Sequence, residues 1–89
     1  MIARLSVFKM QPGTYEYLVS CGGQELFSGE GYPSIESAIK AGADTDGPIT
    51  AMELAYSGIV GGTYTLNRLR ADAASLATHL VDTVASVID

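Results

Sequence analysis

Polar and apolar positions alternate over the first part of the chain. In 2–10, Ile2, Arg4, Ser6 and Phe8 fall on one side and Ala3, Leu5, Val7 and Lys9 on the other, a strand pattern. Gln11-Pro12-Gly13 is a turn signal, because Pro fixes φ and Gly permits positive φ. Thr14 to Cys21 (TYEYLVSC) is the clearest strand, with Tyr15, Tyr17 and Val19 opposite Glu16, Leu18 and Ser20. Gly22-Gly23 predicts a tight hairpin, and Gln24 to Glu30 a third strand, bulged at Gly29.

The period then changes. Ser34 is an N-cap candidate for a helix over SIESAIKAGA, with Ile35, Ala38 and Ile39 as its buried stripe and Gly42 as its stop. Asp44 to Pro48 reads as a loop and Ile49 to Ser57 as a fourth strand, with Thr50, Met52, Leu54 and Tyr56 on one face. Gly58 to Gly62 is expected to make a second hairpin turn. Residues 63–70 fit two patterns. Thr63, Thr65, Asn67 and Leu69 alternate with Tyr64, Leu66, Arg68 and Arg70 as in a strand, while Leu66, Leu69, Ala73 and Leu76 would extend a helix backwards. Thr and Tyr favour a strand to about Leu69.

From Asp72 to Ile88 the period is helical. Asp72 is placed to cap the helix, and Ala73, Leu76, Leu80, Val84 and Val87 form one stripe, widened by Ala77, Val81 and Ile88. That width suits a helix lying across a sheet, or one whose second flank packs on a partner or a second copy as a homodimer. The expected fold is α+β: a mainly antiparallel sheet in the order β-β-β-α-β-β-α, with helices packed on one face. Each half is a Gly-turned hairpin followed by a helix.

Composition sharpens this reading. At 89 residues the chain predicts one domain, 1–89, with 47% hydrophobic and 17% charged residues. So few charges leave little to cover the exterior, which favours an exposed apolar patch. The net charge is −5, with only Arg4, Lys9, Lys40, Arg68 and Arg70 basic. That argues against direct nucleic-acid binding and against anionic membranes, and it is compatible with a protein partner of basic surface. One cysteine excludes an internal disulfide and fits a cytoplasmic protein. No stretch reaches the roughly 20 apolar residues of a membrane helix.

Candidate chemistry is sparse, so no catalytic, cofactor-binding or metal residue is assigned. His79 and Asp82 stand one helical turn apart and can meet, but a catalytic pair also needs a nucleophile and an oxyanion site. Cys21 has no base near it in sequence to form a thiolate. Asp44-Thr45-Asp46-Gly47 resembles the opening of a calcium loop, yet the position needing a bidentate Glu holds Ala55. The Gly pairs at 22–23 and 61–62 match neither a dinucleotide nor a phosphate-loop pattern. Tyrosine and carboxylate positions on strands and turns are the expected protein-binding residues: Tyr15, Glu16, Tyr17, Glu25, Glu30 and Tyr32.

The Pro-Gly turn and aromatic strand PGTYEYLV, a second Gly turn and a helix resemble small phage and mobile-element inhibitors of the anti-CRISPR type. That resemblance implies a small acidic non-enzymatic protein that blocks a larger nucleic-acid-processing complex by occupying its surface. The segment SGEGYPSIESAIKAGAD is similar to the strand-to-helix step of HicB-type antitoxins, which implies neutralisation of a cognate toxin. A small-ligand carrier or enzyme is the third expectation and would need a preformed pocket.

Overall fold

A computed structural model describes residues 2–45 and 49–88, with side chains apart from 84 and 86–88. The strands are β1 (Ile2–Gln11), β2 (Thr14–Cys21), β3 (Gln24–Tyr32), β4 (Ala51–Tyr56) and β5 (Ile59–Thr65). The helices are α1 (Ile35–Ala43), α2 (Leu66–Ala71) and α3 (Ala73–Ile88). Together they make an α+β fold around one five-stranded sheet of order β3-β2-β1-β4-β5.

The sheet is mixed. Three pairings are antiparallel, but the central pair β1–β4 is parallel, with Ile2 opposite Ala51 and Val7 opposite Tyr56. The cause is α1. A hairpin can return a chain only antiparallel, whereas a helical crossover brings β4 back beside β1 in the same direction. The first strand thus lies at the centre of the sheet.

Alternation decides the core. Ala3, Leu5 and Val7 of β1, Tyr17 and Val19 of β2, and Met52 and Leu54 of β4 are buried together with Ile35, Ala38 and Ile39 of α1. Leu69 of α2 and Ala73, Leu76 and Leu80 of α3 complete the same cluster. All three helices therefore feed one core on one face of the sheet.

The start of α1 matches expectation. Ser34 Oγ accepts from Ser37 N at 3.1 Å, and Ser37 Oγ accepts from Ser34 N at 3.2 Å. Its end does not. Gly42 is expected to stop the helix, yet α1 runs through it to Ala43. Gly42 is where the helix presses on the sheet, since a Cβ there would run into Leu5 Cδ1 and come within 3.1 Å of Tyr17 Cδ1. Close approach, not termination, requires the glycine.

Residues 66–71 are helix, which overturns the strand expected to about Leu69. Thr65 Oγ1 accepts from Arg68 N at 3.3 Å, so a threonine at the N-cap wins over its strand propensity. The expected single C-terminal helix thus becomes two. Asp72, the expected cap, joins them: its N–H donates to Arg68 O at 2.8 Å and its carbonyl accepts from Leu76 N at 2.9 Å. The order is β-β-β-α-β-β-α-α.

Both turns hold adjacent positive φ values, Gly22 and Gly23 at 61° and 84°, Ser57 and Gly58 at 53° and 80°. The second turn therefore precedes the expected Gly58–Gly62 position, and Gly61 and Gly62 lie inside β5. A Cβ on Gly61 would run into Leu80 Cδ2, so this glycine lets α3 approach the sheet. The irregularity expected in β3 at Gly29 falls instead between Gly29 and Tyr32, with a second between Phe27 and Glu25. The expected loop 44–48 and calcium-like stretch fall partly on 46–48, outside the described residues, as do the side chains of Val84, Val87 and Ile88. No helix among the described residues is long and apolar enough to cross a membrane.

Candidate interaction surface

The strand face opposite the helices carries a second set of side chains. Register aligns them in rows. One runs Val60–Ala55–Ser6–Leu18–Ser28 from β5 to β3. The next runs Thr63–Glu53–Arg4–Ser20–Glu25. Phe8 pairs with Glu16 beside them, and alternation puts Glu30 on the face of Ser28.

Packing separates this face from the core. Ala55 is only 2% exposed yet is not part of the helix-side cluster, and Phe8, Leu18 and Val60 do not pack against that cluster either. They form an apolar patch on the helix-free face, in which Val60 is 43% exposed. Around it the charge is mainly negative. Arg4 bonds Glu53 across the parallel seam, with Nη2 at 2.6 Å and Nε at 2.7 Å from Oε1. Glu16, Glu25 and Glu30 add three carboxylates towards β2 and β3. Four carboxylates and one guanidinium leave this face three charges negative.

The six expected binding residues divide between the two faces. Glu16, Glu25 and Glu30 lie on the helix-free face. Tyr15 and Tyr32 lie against the core and Tyr17 belongs to it, 8% exposed. Tyr17 fills a slot between two glycines, since a Cβ on Gly29 would stand 2.6 Å from its Cε2 and one on Gly42 3.1 Å from its Cδ1. Phe27 meets its ring edge-on at 6.3 Å and Tyr32 lies 5.6 Å away, so it is a packing anchor. Burial, then the neighbouring Tyr32 phenol with its hydrogen bond, then Asp44, raise the Tyr17 pKa. Burial chiefly raises that of Tyr56, with Tyr15 adding and a Ser57 hydrogen bond opposing.

Phe8, Leu18, Ala55, Val60 and the Arg4–Glu53 pair escaped sequence reasoning as surface candidates. The alternation of 14–21 already put Leu18 beside Glu16 and Ser20. What it could not show was that every helix would choose the other side.

Three further places bear on chemistry. A groove of about 470 Å³ between α1 and α3 is lined by Tyr15, Pro33, Ile35, Ala77 and Val81, with Glu36 and Asp82 at its rim. Cys21 lines a shallow pocket with Ser20, Arg4 and Glu53, and its thiol donates to Ile2 O at 3.7 Å. His79 is exposed and its Nε2 lies 3.1 Å from Gly61 O, a carbonyl that also accepts from the Tyr64 hydroxyl at 3.1 Å. That contact ties α3 to β5. Among the described residues, no group of three or more His, Cys, Asp or Glu is placed to hold a metal ion.

Comparison with protein-family models, with curated proteins and with solved structures found no match to this chain.

Proposed function

We propose that this chain is a non-enzymatic protein-binding module that occupies the surface of a larger partner, an inhibitor of the anti-CRISPR type acting on a nucleic-acid-processing complex. One observation carries the reading: a sheet face that no helix covers, with Phe8, Leu18, Ala55 and Val60 bordered by Glu16, Glu25 and Glu30. A solvated face of ordinary design would be polar at alternate positions. An apolar centre with a charged border is the arrangement of an interface. The acidic border calls for a partner of basic surface and predicts salt-sensitive association. It also disfavours pairing this face with itself, because two faces of three negative charges would meet at about 10 Å.

Antitoxin or immunity function is the alternative, and a single cognate toxin as partner would distinguish it. A homodimer through α3 is a separate reading, favoured by Val81, which is 46% exposed beside the α1–α3 groove.

The test is capture from bacterial lysate at low and high salt with the wild-type chain and with Glu16→Lys/Glu25→Lys/Glu30→Lys. The expected outcome is one stoichiometric partner, retained at low salt by the wild type and lost with the folded triple variant. Unchanged recovery by that variant would sink the surface assignment.

A further inference from the structure

We infer that this chain pairs with a second copy of itself through α3, the two helices crossing antiparallel on a two-fold axis at Ala77–Thr78. The inference rests on the α3 homodimer reading given above and is independent of what the helix-free sheet face binds.

The first argument is what α3 shows to solvent. Ala73, Leu76 and Leu80 belong to the core, which leaves Ala74, Ser75, Thr78, Val81, Asp82 and Ala85 exposed. A helix bounded by water on its outer side carries charged residues there. α1 does, with Glu36 and Lys40, and α2 does, with Arg68 and Arg70. Across the 16 residues of α3 only Asp82 is acidic and none is Lys or Arg. Ala74, Ala77, Val81 and Ala85 recur instead at the spacing of a helical stripe, on the flank that borders the α1–α3 groove.

The second is self-complementarity. The stripe has one bulky exposed side chain, Val81, and a shallow stretch at Ala74 and Ala77, centred about two turns or less away. In an antiparallel crossing at Ala77–Thr78, Val81 of each copy comes level with Ala74 of the other. Ridge meets hollow twice by one operation. That reciprocity is what a two-fold contact requires, and it selects a second copy as the occupant.

The third is charge. Two copies, each at −5, must meet where their charge is least. Four carboxylates and one guanidinium keep the helix-free face out of such a contact. Along the groove flank Glu36 is paired with Lys40 at 3.5 Å, which leaves Asp82 as the net charge. The same crossing sets Asp82 level with Ala73 of the other copy, in the first turn of its α3, where the helix dipole is positive.

Size sets the strength. α3 is about 24 Å long, and with α1 alongside it offers a face about 20 Å wide, so dimerisation buries about 1,000 Å² in total. That is the lower bound for a specific interface, so the dimer forms and dissociates with concentration. Because all the helices cover one face of the sheet, the helix-free faces of the two copies point away from each other and both stay open.

Sedimentation velocity of the full-length chain from about 5 to about 500 μM tests this. The wild type should pass from monomer to dimer. Val81→Glu should weaken dimerisation about tenfold or more. Val60→Glu, the same change at a similarly exposed site on the sheet face, should dimerise as the wild type does. Circular dichroism verifies that both variants are folded. In a Cys21→Ser background, Thr78→Cys should be joined to itself by a short bismaleimide, and Ser28→Cys should not. A wild type that stays monomeric throughout would overturn the α3 dimer and this inference with it. A dimer that Val81→Glu does not weaken, or that Val60→Glu weakens as much, would place the contact elsewhere and overturn both. A dimer weakened by Val81→Glu in which Thr78→Cys is not joined would end the two-fold crossing and leave the α3 dimer standing.

Discussion

Gly42 shows how a residue's meaning depends on what faces it. In an exposed helix Gly→Ala gains about 1 kcal/mol from backbone propensity. Here the new methyl would push on Leu5 and Tyr17, both in the packed core. Overpacking costs about 1–3 kcal/mol, which outweighs the propensity gain. Gly42→Ala should therefore destabilise the protein in urea unfolding, and a stabilised variant would show that the helix can lift off without cost. Tyr17 makes the same point from the other side. Its aromatic-rich strand context was legible in the sequence, as was the face it shares with Tyr15 and Val19. Its role was not, because the slot it fills comes from Gly29 and Gly42, one on a strand and one on a helix.

At the scale of elements, sequence periodicity located α1 and its Ser34 cap, β2, and the helical run beginning at Ala73. It misread 66–71 because a short amphipathic turn of helix and an alternating strand share their apolar positions over so few residues. The decision is made by Thr65 as cap and by a tie elsewhere. Arg70 of α2 donates from Nε to Ala43 O at 2.9 Å and from Nη2 to Thr45 O at 3.0 Å. It thereby satisfies carbonyls at the end of α1, to which it is distant in sequence. Arg70→Met keeps the aliphatic stem and removes both bonds. We expect a loss of about 1 kcal/mol and faster amide exchange at Asp44 and Thr45, while exchange in β2 stays unchanged. Equal protection in the variant would mean that the packing of Leu66 and Leu69 holds α2 in place without the Arg70 tie.

At the scale of the whole molecule, alternation in the strands was readable but their neighbours were not. No local pattern says that the first strand will sit in the middle, or that helices from two parts of the chain will gather on one side. Those facts create the free face, and so the candidate surface was only half visible: its carboxylates were, its apolar centre was not. The phenols give the molecule a global signature as well. Tyr17 and Tyr56 have pKa values raised above the ordinary value of 10.0. In the unfolded chain they ionise first, so their contribution is intact below pH about 10 and is lost as pH rises through the folded values. Thermal stability should fall on the alkaline side of pH about 10, less steeply in Tyr17→Phe; identical profiles would exclude Tyr17 as a source. The central position of β1 has a last consequence, in the order of synthesis. On the ribosome β1, β2, β3 and α1 emerge as an antiparallel half, with the future middle of the sheet as its bare margin. Until β4 is made, that margin can hydrogen-bond to any nascent strand nearby. The parallel seam, whose register joins Arg4 to Glu53, thus covers the margin of β1 and moves the open edge outward to β5.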